Sequence, residues 1–105
     1  FMYCNNLLEI SLEGVKEIDD YAFRGCNNLS KISLKNVEKI GSCAFMDTGI
    51  KEVIIPASVT VLREDAFYTP SIKKIILESG STLTDYMVKR AYRRGKYYVI
   101  TIKRL

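Results

Sequence analysis

The sequence has no histidine and only six glycines among its 105 residues. Histidine is the commonest general base and metal ligand, so its absence removes the usual basis of a catalytic or metal site. Glycine is too sparse for a phosphate-binding loop. No apolar run approaches the roughly 20 residues of a membrane-spanning helix. No signal peptide is visible in the sequence, which starts at Phe1 and not at a methionine. We therefore expect a protein that is not an enzyme, has no cofactor or metal, and does not cross a membrane.

The three cysteines cannot all pair with one another. Cys4 and Cys26 fall at equivalent positions of an internal repeat, whereas Cys43 falls at a different position of it. The favoured interpretation is that Cys4 and Cys26 are small buried apolar residues. The alternative is a disulfide between them, which requires Cα atoms within about 4.4–6.8 Å. Cysteine usage thus leaves the redox compartment open, and Cys43 has no histidine that could activate it.

A 22-residue repeat organises the chain. Phenylalanine recurs at positions 1, 23, 45 and 67, and alanine precedes the last three. Apolar residues recur in the same register at Ile18, Ile40 and Leu62, and at Val15, Val37 and Val59. Each unit is too short to form a core of its own, so the units are expected to stack into a solenoid with one continuous apolar interior.

The second half of each unit alternates apolar and polar residues, as in Ile32-Ser33-Leu34. Alternation is the period of a half-buried strand. We predict a right-handed solenoid whose parallel strands are centred on residues 10–12, 32–34, 53–55, 75–77 and 100–102. The four phenylalanines should form one stacked column inside, and the segment from Ile40 to Phe45 should turn the chain on the outer side.

The C-terminal segment aligns with the preceding unit through a three-residue insertion within Glu78–Leu83. This alignment matches Leu62, Ala66, Phe67, Ile72, Ile75 and Leu77 with Met87, Ala91, Tyr92, Tyr97, Ile100 and Ile102. We predict repeats over residues 1–83 and a divergent capping repeat over residues 84–105. A helix is expected from Thr84 to Arg94, capped by Thr84 and ended by Gly95, with Met87 and Ala91 on one face.

The outward residues of the predicted strands form columns. The first contains Glu9, Lys31, Glu52, Lys74 and Val99; the second contains Ser11, Ser33, Ile54, Ile76 and Thr101; the third contains Glu13, Lys35, Pro56, Glu78 and Lys103. Strands lie about 4.8 Å apart, so column members are neighbours. One interpretation of the first column, which alternates in sign, is a ladder of ion pairs. The other is a ligand-binding surface in which Ile54 and Ile76 form an exposed apolar spot.

Charge is divided unequally along the chain. Residues 1–80 carry nine basic and eleven acidic side chains, whereas residues 81–105 carry seven basic and one acidic. The basic end contains Lys89, Arg90, Arg93, Arg94, Lys96, Lys103 and Arg104, with Tyr92, Tyr97 and Tyr98 among them. Basic residues interleaved with aromatics can bind nucleic acid. We favour a solvated cap instead, because Tyr92 and Tyr97 fall in core columns.

Adjacent carboxylates occur at Asp19-Asp20 and at Glu64-Asp65. The two pairs fall at equivalent positions of two outer turns. We interpret them as turn and solubility residues, not as a catalytic pair.

The repeat resembles the BspA-like class of leucine-rich repeats, in residues 22–29 (Ala-Phe-Arg-Gly-Cys-Asn-Asn-Leu), 40–45 (Ile-Gly-Ser-Cys-Ala-Phe) and 53–56 (Val-Ile-Ile-Pro). The resemblance covers residues 1–77 well and 84–102 weakly. The sequence departs from the family pattern in two respects. The cysteine of the repeat is lost after Cys26, and the proline that follows the strand occurs only at Pro56. It implies a leucine-rich-repeat solenoid, with a short parallel strand per repeat and outer turns or short helices. It also implies a secreted or cell-surface protein used for adhesion or host contact, and it supplies no catalytic residues.

Together these observations predict a non-catalytic protein-binding or adhesion module of a larger secreted or surface protein. The predicted ligand-binding residues lie on the strand face: Glu9, Ser11, Lys31, Ser33, Glu52, Ile54, Lys74, Ile76 and Thr101. The expected partner is a protein, such as a host extracellular-matrix or surface protein, and not nucleic acid. The alternatives are a structural spacer in a surface protein and an intracellular interaction scaffold.

Overall fold

The strands indicated by the alternating pattern are present, and all of them pair in parallel. The computed structural model describes residues 1–92 and 100–105. In chain order its elements are β1 (Glu9–Ser11), β2 (Glu17–Ile18), β3 (Lys31–Ser33), β4 (Lys39–Ile40), β5 (Glu52–Ile55), β6 (Val61–Leu62), β7 (Lys74–Leu77), α1 (Asp85–Tyr92) and β8 (Thr101–Arg104). The chain is therefore a parallel β-solenoid with a short C-terminal helix. Its right-handed coiling stays a prediction.

The longer strands β1, β3, β5, β7 and β8 carry the surface that we name the strand face. They form two hydrogen-bonded sheets, β1-β3 and β5-β7-β8, and not the single ladder that was predicted. The break falls where the repeat loses one residue after Phe45 and regains one near Pro56. Proline has no N–H to donate to a ladder, which favours an interruption at this point.

A third parallel sheet, β2-β4-β6, was not predicted as strands. Each of its strands is only two residues long, which is too short for alternation to be visible in the sequence. Its inner residues Ile18, Ile40 and Leu62 are buried, as their shared column indicated. We name β2-β4-β6 the short sheet. It runs unbroken across the gap between β3 and β5.

The phenylalanine column is present. Successive rings stack with centroids 5.3–5.5 Å apart and planes within 12° of parallel. Phe23, Phe45 and Phe67 are buried, but Phe1 is 75% exposed, so its predicted burial is wrong. Phe23 covers only one side of the Phe1 ring, and no further turn covers the other side within the residues that the structure describes.

The outer turns stack through backbone hydrogen bonds as well as through rings. The N–H of Phe23 donates to the carbonyl of Ala44, and the N–H of Phe45 donates to that of Ala66, at 2.7–2.8 Å. The backbones of neighbouring outer turns approach so closely that a Cβ added to Gly41 would lie 2.5 Å from the backbone nitrogen of Asp20. Small residues are therefore required at the inner positions of these turns.

Small cysteine and threonine side chains follow successive phenylalanines by two or three residues, and Cys26, Thr48 and Thr69 are buried. The cysteines are free thiols, and Cys26 is buried. The Thr48 hydroxyl donates to the Phe45 carbonyl at 2.9 Å, and the Thr69 hydroxyl donates to the Thr48 carbonyl at 2.6 Å. Each buried hydroxyl thus has a partner, which removes most of the cost of burying it.

The helix α1 begins as predicted, because the Thr84 hydroxyl accepts a hydrogen bond from the N–H of Met87 at 3.2 Å. Its buried residues are Val88 and Ala91, whereas Met87 is 38% exposed, so the predicted burial of Met87 is wrong. Helical residues three and four apart share a face, and Val88 and Ala91 form the face that meets the core. The predicted end at Arg94 and Gly95 lies outside the described residues.

The last turn of α1 is joined to the solenoid through its carbonyl groups. The carbonyls of Arg90 and Ala91 accept hydrogen bonds from the N–H groups of Asp65 and Phe67, at 2.9 and 2.8 Å. Carbonyls at a helix C-terminus lack partners inside the helix. The preceding turn supplies these partners, so α1 takes the place of an outer turn.

Candidate binding face

The outward side chains of the strand face are the predicted ones. Glu9, Ser11, Lys31, Ser33, Glu52, Ile54 and Thr101 are exposed, and Lys74 and Ile76 are partly exposed. The intervening residues point inward, and those of β5 and β7 are fully buried, as in Val53 and Ile75. The alternation of the sequence therefore assigned each of these residues to the correct side.

Oppositely charged residues are adjacent on this face. Glu9 pairs in register with Lys31, and Glu52 pairs with Lys74. Within residues 1–92 and 100–105, however, none of these four side chains takes part in an ion pair. The predicted ladder of ion pairs is therefore not formed on the strand face.

Two ion pairs between neighbouring turns lie along the short sheet instead. The Lys39 ammonium is 3.3 Å from the Glu17 carboxylate, and the Lys16 ammonium is 3.7 Å from the Glu38 carboxylate. These side chains stay more than half exposed. The charges of the strand face are thus available to an outside partner, whereas those of the short sheet are paired within the chain.

The apolar centre of the face consists of Ile54 and Ile76, which are register partners on β5 and β7. Ile54 is 53% exposed. Ile76 is only partly exposed, so the prediction that both are solvent-exposed neighbours holds fully for Ile54 alone. The arrangement is a small apolar spot flanked by Glu52 and Lys74.

A groove of about 530 Å³ opens beside this spot, at the break between β3 and β5. Its lining includes Ile32, Ser33, Lys35, Ile54, Pro56 and Glu78. The groove was not predicted, because an alignment of columns shows which residues are neighbours and not whether their strands hydrogen-bond. The only signal in the sequence was the pair of one-residue shifts around β5.

The fifth strand is displaced from its predicted register. β8 pairs Thr101 with Lys74, Ile102 with Ile75 and Lys103 with Ile76, whereas the alignment had placed Ile100 beside Ile75. Because the displacement is an even number of residues, Thr101 remains on the outward side. Thr101 thus belongs beside Lys74 and Lys103 beside Ile76, while Val99 lies outside the described residues.

The adjacent carboxylates have structural partners. An Asp20 carboxylate oxygen accepts a hydrogen bond from the N–H of Ser42 at 2.8 Å, and Glu64 forms an ion pair with Arg90 at 3.2 Å. Burial, more than any other influence, raises the pKa of the Cys43 thiol. A raised pKa keeps the thiol protonated near neutral pH and therefore a weak nucleophile. Among the described residues, no three acidic or cysteine side chains are placed to hold a metal ion.

The basic C-terminal end is only partly described. Arg90 pairs with Glu64, and Arg104 pairs with Asp85 at 2.8 Å. Tyr92 packs against the core, as its column indicated. The predicted basic and aromatic residues Arg93, Arg94, Lys96, Tyr97 and Tyr98 lie outside the described residues. Two of the four described basic side chains in this segment are therefore already paired.

The parallel strands, the stacked phenylalanines and the apolar columns define a leucine-rich-repeat solenoid. Residues 1–96 match the family model of the BspA type leucine rich repeat region, in six copies. The chain belongs to this family. Neither the search of curated proteins nor that of solved structures returned a match. No described helix is both long and apolar enough to traverse a bilayer.

Proposed function

We propose that the chain is a non-catalytic protein-binding or adhesion module of a larger secreted or cell-surface protein, and that its strand face is the binding surface. One observation carries this proposal. Glu9, Lys31, Glu52 and Lys74 are adjacent charges that form no ion pair within the described chain, while similar charges along the short sheet do. Membership of the BspA-type leucine-rich-repeat family supports the proposal that the chain is a repeat module. The resemblance of its repeats to those of surface proteins supports the proposed secreted or cell-surface location.

The composition of the face suits a protein partner. An exposed isoleucine, Ile54, lies at its centre beside Ile76, and the charged residues Glu52 and Lys74 flank the two isoleucines on one side. Protein interfaces commonly combine an apolar centre with a polar rim. The predicted partner remains a protein such as an extracellular-matrix or surface protein. The division into repeats over residues 1–83 and a cap over residues 84–105 belongs to the same proposal.

The face is small, which limits affinity. Paired strands lie about 4.8 Å apart, so even with a wider step at the break between β3 and β5 the five strands span only on the order of 20 Å along the solenoid. A stable interface usually takes about 800 Å² from each partner. We therefore expect weak binding by this chain alone, with avidity or additional repeats supplying the rest.

The test is binding to an immobilised panel of purified extracellular-matrix proteins, measured by surface plasmon resonance. Ile54→Glu places a charge at the centre of the face and should weaken binding at least about tenfold (about 1.4 kcal/mol). The matched control is Thr60→Glu, which adds the same charge at an exposed position beside the short sheet. Equal binding by both variants, or binding lost equally in both, would refute the strand face as the site. No binding by the wild-type chain would refute an extracellular-matrix protein as the partner.

A further inference from the structure

The charge order of the strand face makes it complementary to itself. On β5 and β7 the outward residues are Glu52 with Ile54, and Lys74 with Ile76. If a second copy is turned so that its β7 faces β5, each Glu52 meets a Lys74 and each Ile54 meets an Ile76. Both contacts occur twice, because the interface has two-fold symmetry.

The direction of the two-fold axis decides whether charges match. With the axis parallel to the strands, between β5 and β7, the order of the strands is reversed in the second copy and opposite charges meet. With the axis along the solenoid, each strand faces its own counterpart. Lys31 then meets Lys31 or Lys35 of the other copy and Glu9 meets Glu9 or Glu13, so like charges outnumber the one opposite pair that Lys74 and Glu78 can form. Like charges placed opposite one another are destabilising. The first arrangement is therefore favoured over the second.

The neighbouring strands fit the first arrangement as well. Beside the central pair, β3 of one copy faces β8 of the other, which places Lys31 near Thr101 and Ser33 near Lys103. No like charges meet at these positions. Pro56 faces Glu78, at the edge where side chains can reach water.

We propose that the strand face binds the same face of a second copy of this chain, with the two-fold axis parallel to the strands between β5 and β7. The inference rests on the proposed use of the strand face and names its partner as an identical module. The Ile54 and Ile76 side chains of both copies form the apolar centre, and two Glu52–Lys74 pairs flank it. Opposed sheets pack about 10 Å apart, a distance that these side chains can fill.

The self-association should be weak, because the face supplies less than the area of a stable interface. A monomer–dimer equilibrium is expected in the high-micromolar to millimolar range. Salt should weaken it, since the Glu52 and Lys74 charges are at the surface. Repeated copies on a surface would strengthen the contact through avidity.

The test compares two charge-reversal variants, Glu52→Lys and Lys74→Glu, by sedimentation equilibrium across that concentration range. Each variant alone places like charges across the interface and should weaken self-association about tenfold or more. An equimolar mixture restores opposite charges at both contacts and should associate at least as tightly as the wild-type chain. Thr60→Lys, outside the face, is the matched control and should leave self-association unchanged.

Three results would overturn the proposal: a wild-type chain that stays monomeric at millimolar concentration, single variants that associate as the wild type does, or a mixture that does not recover. A denaturation curve for each variant separates loss of folding from loss of contact. If the chain does not self-associate but Ile54→Glu still weakens binding to an extracellular-matrix protein, the proposed function stands and only the identical partner is refuted. Failure of the matrix panel alone leaves the identical module as the partner.

Discussion

The strand face and the short sheet are built from the same repeat, yet their charges are used differently. On the short sheet, Glu17 and Lys39 lie on adjacent strands and form an ion pair at 3.3 Å. On the strand face, Glu52 and Lys74 are adjacent in the same way, but neither is in an ion pair within the described part of the chain. Alternating charge in a repeat therefore indicates that two side chains are neighbours, but not that they are partners.

The interior that both sheets share should dominate stability. Phe45 is fully buried between two stacked rings. We expect Phe45→Ala to lower the free energy of unfolding by about 3–5 kcal/mol, as for other large aromatics truncated in a core. Urea denaturation followed by circular dichroism measures it. Phe1→Ala is the matched control and should cost about 1 kcal/mol or less, because Phe1 is exposed. Equal losses would mean that the stack does not depend on burial.

The close approach of turns beside the short sheet should be the next most sensitive feature. Gly41→Ala would place a Cβ 2.5 Å from the Asp20 nitrogen. We expect the free energy of unfolding to fall by about 1–3 kcal/mol, because the turns must separate to make room. Ser42→Ala keeps the N–H that binds Asp20 and should change stability by less than about 0.5 kcal/mol. A neutral Gly41→Ala would show that the turns are more loosely stacked.

The ion pairs offer a direct comparison of the two sheets. Glu38→Gln removes an exposed pair with Lys16 on the short sheet, and it should lower stability by about 0.2–1 kcal/mol at low salt. Glu52→Gln on the strand face should leave stability unchanged, because Glu52 has no ion-pair partner among the described residues. Thermal melts at low and high salt measure both. An equal loss of stability in the two variants would contradict the difference in charge pairing between the short sheet and the strand face, on which the proposed binding face rests.

The smallest effect concerns the contact that holds β8 to α1. Hydrogen bonding to Arg104 lowers the pKa of Asp85. A lowered pKa means that the contact contributes stability above the ordinary aspartate pKa and loses it as the pH falls through the lowered value. An NMR pH titration should therefore find the Asp85 midpoint below the ordinary value for aspartate. Arg104→Ala should return it to the ordinary range, and a midpoint that does not move would show that Arg104 is not the cause.

Residues that recur at a constant spacing were predicted well. The phenylalanine stack and four of the five longer strands follow from the 22-residue period, because each buried position constrains the size and polarity of its residue. The last strand was misplaced in register, since Ile100 and Ile102 fit the alternation equally well. Met87 was placed in the core, although Val88 is the residue that α1 buries, because a helix and a turn distribute their inward positions differently.

Features of the candidate face that depend on hydrogen bonding could not be predicted. The sequence indicated that Lys31 and Glu52 are neighbours, but the break between β3 and β5 is a property of backbone geometry. The absence of ion pairs on the described part of the face is likewise set by side-chain rotamers, which a column of residues does not specify.

The break between β3 and β5 has a mechanical consequence. The turns on either side of it remain joined by the short sheet, by the bond from the Phe45 N–H to the Ala66 carbonyl, and by the bond from the Thr69 hydroxyl to the Thr48 carbonyl. Within the described residues, the unpaired step between these two turns is on the strand face, between β3 and β5. We therefore expect that bending would open the groove and pivot about the short sheet, because no strand-to-strand hydrogen bonds between β3 and β5 oppose it. We expect the resistance to bending to differ between the two sides of the solenoid, with the lower resistance on the side that carries exposed Ile54.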